Sequence, residues 1–183
     1  MRTSFKVNHM SITASLNGYK SVCRRNVGGV SIIAHIAAQD VTSVTIEEGV
    51  VTAISTNGKF KEYQSVIDNA EFKISTSEVS IQHRFNSLSK ESSIAYNELL
   101  EVAACGIVSL VKMNNGAVAL LGWSEEFGGR RPLMHIEAEG TSGKAPTDDN
   151  YLDVTLKSSQ VTAPLYLSDA LAKDIETLLE TAA

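Results

Sequence analysis

The chain has 183 residues, 43% of them apolar and 20% charged, enough for one domain with its own core and too ordered in composition for a disordered chain. A formal net charge of −5 argues against a dedicated nucleic-acid binder. Two cysteines, Cys23 and Cys105, are too few for a disulfide scaffold and are expected as buried thiols of a reducing compartment, with a single bridge between them as the alternative. Val, Ile and Thr together number 42, a composition that favours pleated strands. Charge is unevenly placed: residues 1–39 carry Arg2, Lys6, Lys20, Arg24 and Arg25 with no acid before Asp40, whereas residues 125–183 carry eleven acids against five bases.

Met10, Ile12, Ala14 and Leu16 alternate with His9, Ser11, Thr13 and Ser15, which is a strand period and not that of an amphipathic transit helix. No unbroken apolar stretch marks a secretory signal near the start. The region from Val102 to Trp123 is interrupted by Lys112, Asn114 and Asn115. These features lead to the expectation of a soluble chain, intracellular when made. Asn17-Gly18 signals a tight turn. Val30 to Ala38 reads as a strand with Val30, Ile32, Ala34 and Ile36 on one face. A hairpin follows, with Val44 and Ile46 in one arm, a turn at Glu47-Glu48-Gly49, and Val51 to Ile54 in the other. Thr56-Asn57-Gly58 marks a further turn before Phe60 and Tyr63.

Residues 70–86 form the longest strand-like region. Ala70, Phe72, Ile74 and Thr76 alternate with polar residues, and so do Val79, Ile81, His83 and Phe85, which predicts a long hairpin or one long strand with a bulge. A helix is expected next, capped by Ser87 or Ser89, with Ile94, Tyr96, Leu99, Val102 and Ala103 on its apolar face and Gly106 as its stop. Ile107 to Met113, the Asn114-Asn115-Gly116 turn and Ala117 to Trp123 read as a hairpin. Pro132 to Glu137 is a strand candidate, Gly140 to Asn150 a polar loop and Tyr151 to Leu156 a strand. Ser168 is expected to cap a terminal amphipathic helix with Leu171, Ile175, Leu178 and Leu179 as its stripe. The fold class is therefore mainly β with α decoration: a β-barrel or β-sandwich of nine or ten strands, one flanking helix and a C-terminal helix. Residues 1–167 make the β domain and 168–183 the terminal helix.

Reactive constellations are sparse. His9, His35, His83 and His135 lie far apart in sequence and fit no metal-ligand spacing, so surface or satisfied core histidines are expected. Gly140-Thr141-Ser142-Gly143-Lys144 fails as a phosphate loop, because Ala138 stands where the first glycine belongs and Ala145 where a hydroxyl should follow the lysine. Asp148-Asp149-Asn150 lacks the alternate spacing of a calcium loop. The basic pairs Arg24-Arg25 and Arg130-Arg131 are expected to meet acids and not nucleic acid. No arrangement points to an enzyme, a cofactor or a metal.

The order of features resembles the ring-forming tail-tube and tail-connector proteins of tailed bacteriophages, especially the crAss-like phages of the gut Bacteroides group. The resemblance rests on Cys23 through Val30 (CRRNVGGV), the helix Ser92–Ala104, the Asn-Asn-Gly turn, and Ala117 through Trp123. It continues through the loop containing Ser142-Gly143, Asp149-Asn150-Tyr151, the strand Leu152–Leu156 and Ala163-Pro164. It spans most of residues 20–167 and leaves the segment after Ser168 unmatched.

The resemblance implies a structural virion protein of the tail or neck, self-associating into a homo-oligomeric ring beside neighbouring ring proteins, with no membrane partner. DNA would transit the lumen without specific binding, in keeping with an acidic chain that releases few counterions. The tube-wall candidates are Phe72, Ile74, Val79, Ile81, His83 and Phe85. The charge asymmetry makes Arg24 and Arg25, facing Asp148, Asp149 and Asp153, the candidate contacts between subunits. The alternatives are a head-to-tail connector or tail-completion ring and, from another class, a β-sandwich binding a small molecule or glycan.

Overall fold

The computed structural model describes residues 28–66, 69–124, 131–159 and 163–180, and these form twelve strands and two α-helices. In chain order the elements begin β1 (Val30–Ala37), β2 (Val41–Glu47), β3 (Val50–Thr56), β4 (Phe60–Glu62), β5 (Glu71–Ile74) and β6 (Glu78–Phe85). Helix α1 (Lys90–Cys105) leads into β7 (Ile107–Met113), β8 (Val118–Leu121), β9 (His135–Thr141), β10 (Tyr151–Ser159) and β11 (Leu165–Leu167). The last elements are α2 (Asp169–Lys173), a 3-10 turn at Ile175–Thr177 and β12 (Leu179–Glu180). Eight strands form one curled sheet in the order β12-β4-β1-β7-β8-β11-β3-β2, and four form a second sheet in the order β5-β6-β10-β9.

The middle of the large sheet is apolar on both faces. Along β7 the side chains of Val108 and Leu110 enter one core while those of Ile107 and Val111 enter another. Strands β1 and β8 divide in the same way, Ala34 and Leu120 to one side, Ile33 and Leu121 to the other. A strand buried on both faces needs a near-continuous apolar run, which VALL in β8 supplies. The first core lies inside the curl, where Val41, Val51, Phe60, Leu167 and Ile175 close it. The second lies between the large sheet and the small one, with Leu99 and Ala103 of α1 completing it.

Local signals produce the turns. Glu48 (φ 53°) and Gly49 (φ 78°) both take the left-handed conformation that a two-residue hairpin requires between β2 and β3. Ser89 caps α1, accepting the N–H of Ser92 while the Ser92 hydroxyl accepts the N–H of Ser89. Gly106 ends the helix at φ 96°, and a Cβ there would lie 2.5 Å from Pro132. Residues 71–85 are a hairpin, with β5 and β6 antiparallel and Ile74 opposite Val79.

Four expectations are corrected. The described residues alone hold twelve strands where nine or ten are expected, because short strands such as β11 and β12 carry too few residues to show a period. The strand proposed for Pro132 to Glu137 begins at His135 and runs to Thr141, into the segment read as loop, because β10 offers a ladder partner as far as Tyr151. Cys105 is exposed at the end of α1, where it has turned past the buried positions Leu99 and Ala103; Cys23 lies outside the described residues. The terminal helix stops at Lys173. Beyond it, Leu179 and Glu180 pair parallel with Phe60 and Lys61 of β4. A short isolated helix is marginal, and the free edge of β4 offers backbone partners that a longer helix would forgo: the Phe60 N–H donates to the Leu178 carbonyl at 2.9 Å.

Ile175 and Leu179 are thereby part of the first core, so residues 169–180 pack on their own β domain. Ile175→Ala is expected to lower unfolding free energy by about 2–4 kcal/mol, whereas Ile74→Ala, 50% exposed on β5, should change it by less than about 0.5 kcal/mol. Urea denaturation of the two variants measures both.

Candidate functional site

The small sheet has two unlike faces. Val79, Ile81 and His83 of β6, with Leu152, Val154 and Leu156 of β10, are buried against the large sheet. The alternate residues Ser80, Gln82 and Arg84, with Tyr151, Asp153, Thr155 and Lys157, form the opposite face, as period-two alternation dictates. Strand register places Glu137 beside Thr155, Glu139 beside Asp153, and Lys73 beside Ser80 on that same face. Together with Glu71 and Glu78 it carries five carboxylates against the three cations Lys73, Arg84 and Lys157.

Arg84 anchors this surface. Its Nε and Nη2 each donate to one carboxylate oxygen of Asp153 at 2.6 Å, and its guanidinium lies 3.9 Å from the centroid of the Tyr151 ring. The Asp153 carboxylate is the main reason the guanidinium pKa is raised above its ordinary range. Lys157 Nζ donates to Glu137 at 2.7 Å in a more exposed pair, which raises the Lys157 pKa.

On the buried face, two imidazoles meet. His35 of β1 is 4% exposed and His83 of β6 is fully buried, their ring centroids 5.6 Å apart. The Tyr63 ring, just past β4, lies 5.1 Å from His35 and 6.1 Å from His83. The edge of Phe85 closes on His83 at 5.0 Å. His35 Nδ1 and the hydroxyl of Ser109, its cross-strand partner on β7, are 2.7 Å apart. His35 Nε2 and both ring nitrogens of His83 have no hydrogen-bond partner within the protein. These histidines are therefore core residues without the satisfaction expected of them.

Burial penalises the charged form and holds the His83 imidazole at about 4, against the opposing pull of the Asp153 carboxylate. Burial, and secondarily His83, holds His35 well below its usual range. Burial, and secondarily Glu98 of α1, raises the Tyr63 phenol. Two positive charges 5.6 Å apart would repel by about 3 kcal/mol at an effective dielectric constant of about 20, so the rings cannot both charge in place at modest cost. Among the described residues, no three His, Cys, Asp or Glu side chains are grouped to hold a metal.

The residues singled out in sequence separate into three places. Val79, Ile81 and His83 face the core of the same chain, Phe72 and Phe85 are half-buried beside it, and Ile74 is exposed; any tube wall made by this hairpin presents its alternate residues. Asp153 is held by Arg84. Asp148 caps its own loop, its Oδ2 accepting the N–H groups of Lys144 and Ala145 at 2.8 Å each, which lowers its carboxyl pKa. Asp149 lies in the same loop, near a shallow hollow lined by Arg84 and Tyr151. Arg24, Arg25 and Arg130 fall outside the described residues.

The histidine pair was missed as a pair because nothing local joins His35 to His83. The available signal was that His83 occupies an apolar position of an alternating strand and that His35 interrupts the otherwise apolar run from Ile32 to Ala38. Compared with protein-family models, curated proteins and solved structures, the chain matches none of them. No helix of the described residues is long and apolar enough to cross a membrane.

Unfolded imidazoles take protons near 6.5, whereas the folded ones resist, His83 to about 4. The unfolded state thus binds more protons across that window. The stability tied to the neutral rings is full above about pH 6.5 and is lost as pH falls toward 4. For His83 alone the loss by pH 4 is roughly 3 kcal/mol, at about 1.4 kcal/mol per unit. Urea unfolding at a series of pH values should show this decline, and His83→Phe should flatten it. Arg84→Ala should cost about 1–2 kcal/mol at neutral pH by removing two charge-assisted bonds and the Tyr151 contact, measured in the same assay.

Proposed function

We propose that the chain is a structural subunit of a tailed-phage tail or neck that closes into a homo-oligomeric ring through the edges of its small sheet. One observation carries this reading: the four-stranded antiparallel sheet pairs internally at β6 and β10 while β5 and β9 each have a ladder partner on one side only. An open edge invites pairing, and β9 is seven residues long, without proline and almost wholly exposed.

The geometry of such a closure follows from strand direction. All pairings within the small sheet are antiparallel, so β5 and β9 run in opposite directions. A copy rotated about an axis along the strands brings its β5 antiparallel to the β9 of the first. An even strand number per copy preserves the alternation right round the ring. This contact is heterologous, joining different patches, and only rotational closure removes the last free edges of the small sheets. Each copy adds four strands, or about 19 Å of circumference at a strand spacing of about 4.8 Å. The acid-rich, polar face then lines a lumen that repels phosphates, while the large sheet and α1 stand on the opposite side.

Negative-stain microscopy of the purified chain tests ring formation, with rings or tubes expected. A zero-length carbodiimide cross-link tests the junction. In mixed light- and heavy-isotope protein, Lys73 is expected to join Glu137 or Glu139 in mixed-isotope pairs, because within one copy β5 and β9 are about 14 Å apart across two intervening strands. Rings whose cross-links arise elsewhere would move the interface off these edges. A monomer at all concentrations, with β9 amides exchanging freely, would defeat the proposal.

A further inference from the structure

We propose that His35 and His83 form an acid-sensitive latch between the two sheets: with both rings neutral the layers stay docked, and protonation parts the small sheet from the large one before the large sheet itself unfolds. The placement is specific. His35 belongs to the large sheet and His83 to the small one, and each hydrogen-bond ladder is complete without the other. The layers are joined here by side-chain packing of the second core, in which these rings and Tyr63 are the polar members beside Ile33, Ile81, Leu99 and Val154. A short tie adds to this where the segment after β4 meets β6: the Val66 N–H donates to the Arg84 carbonyl at 2.9 Å and the Arg84 N–H to the Ser65 hydroxyl at 3.0 Å. The first core contains neither ring. Two residues along β7 from Ser109, backbone bonds between Ile107 and Leu133 tie the large sheet to the segment that enters β9 and supply a hinge point.

Every charged neighbour fits this assignment. From the small sheet, Asp153 favours a proton on His83, but its carboxylate is committed to Arg84 on the opposite face. From the large sheet, His35 meets the Ser109 hydroxyl, which can accept or donate but carries no charge. From α1, Glu98 acts on the Tyr63 phenol. A cleft of about 380 Å³ between α1 and the β1–β4 edge reaches His35, and its walls carry Asp40, Glu98, Glu101 and Glu180 with Lys59 and Lys61. This cleft gives water and protons a route to one ring, while the other lies behind it with no acceptor in reach. A charged imidazole in that position has no bonded counterion and gains solvation by separating the layers.

Hydrogen exchange of the full-length chain, followed by mass spectrometry at pH 7.5 and pH 5.0 and corrected for intrinsic rates, tests the latch. Once undocked, the small sheet has lost the packing that keeps its ladder closed. The expected result is therefore a selective loss of protection in β6 and β10 of roughly thirtyfold, the factor by which a ring held at about 4 disfavours the docked state at pH 5 relative to a free one at 6.5. Segments β3 and β11, which serve the first core, should hold their protection. His83→Gln should abolish most of the response and His35→Gln part of it; His83→Phe serves if the glutamine variant fails to fold. Equal loss in both sheets, no loss in wild type, or a full response surviving in a folded His83 variant would overturn the proposal.

Discussion

The structure depends on one shared layer. Strands β1, β7 and β8 are packed on both faces, so a single ply of backbone serves two cores that do not mix. Burying both faces of a strand removes the polar alternation that would leave one face in water, and the cost is that the ply must be covered twice. The curl of the large sheet with the C-terminal segment covers it once, and the small sheet with α1 covers it again. The second cover is held mainly by side chains facing across the gap, with short backbone ties at Ile107–Leu133 and Val66–Arg84, whereas the first is continuous with the ply through backbone ladders. That difference in attachment puts the weak seam of the molecule between the two sheets.

The outer surface of the small sheet is organised by a different constraint. Mixed charges on adjacent strands neutralise one another locally, through Arg84 with Asp153 and Lys157 with Glu137, while the remaining carboxylates set the overall sign. The Arg84 pair is the more sheltered and is braced by an aromatic ring. The acids expected to reach a neighbour are partly spent inside the chain, Asp153 on Arg84 and Asp148 on its own loop. Electrostatic register between copies, as the charge asymmetry suggested it, would then rest mainly on Asp149 and on Glu139 of β9.

Much of the fold was legible because its local signals agree with its tertiary ones. The β2–β3 and β7–β8 hairpins carry their turn residues, and α1 begins at a serine cap and ends at a glycine. The alternation of Val79, Ile81, His83 and Phe85 gave the buried face of β6 directly. The C-terminal segment was misread because Leu171, Ile175, Leu178 and Leu179 satisfy a helical period while also serving a short helix, a 3-10 turn and a strand in succession. Only the vacant edge of β4 decides between these, and that edge is invisible in the local sequence. The site was harder still. His35 and His83 are 48 positions apart in sequence, and their meeting requires both the β1–β7 register and the stacking of one sheet on another. Arg84 and Asp153 likewise become partners only through the β6–β10 ladder.

The loop between β9 and β10 has a consequence for ligand binding. Successive backbone N–H groups at Lys144 and Ala145 converge on one point, the arrangement by which turns cradle anions. Here the cradle holds the carboxylate of Asp148. A tethered carboxylate competes at an effective concentration on the order of millimolar or above, so a free phosphate or sulfate must outbid a group that never diffuses away. The two converging N–H groups of this stretch are thus already occupied by a carboxylate of the same chain.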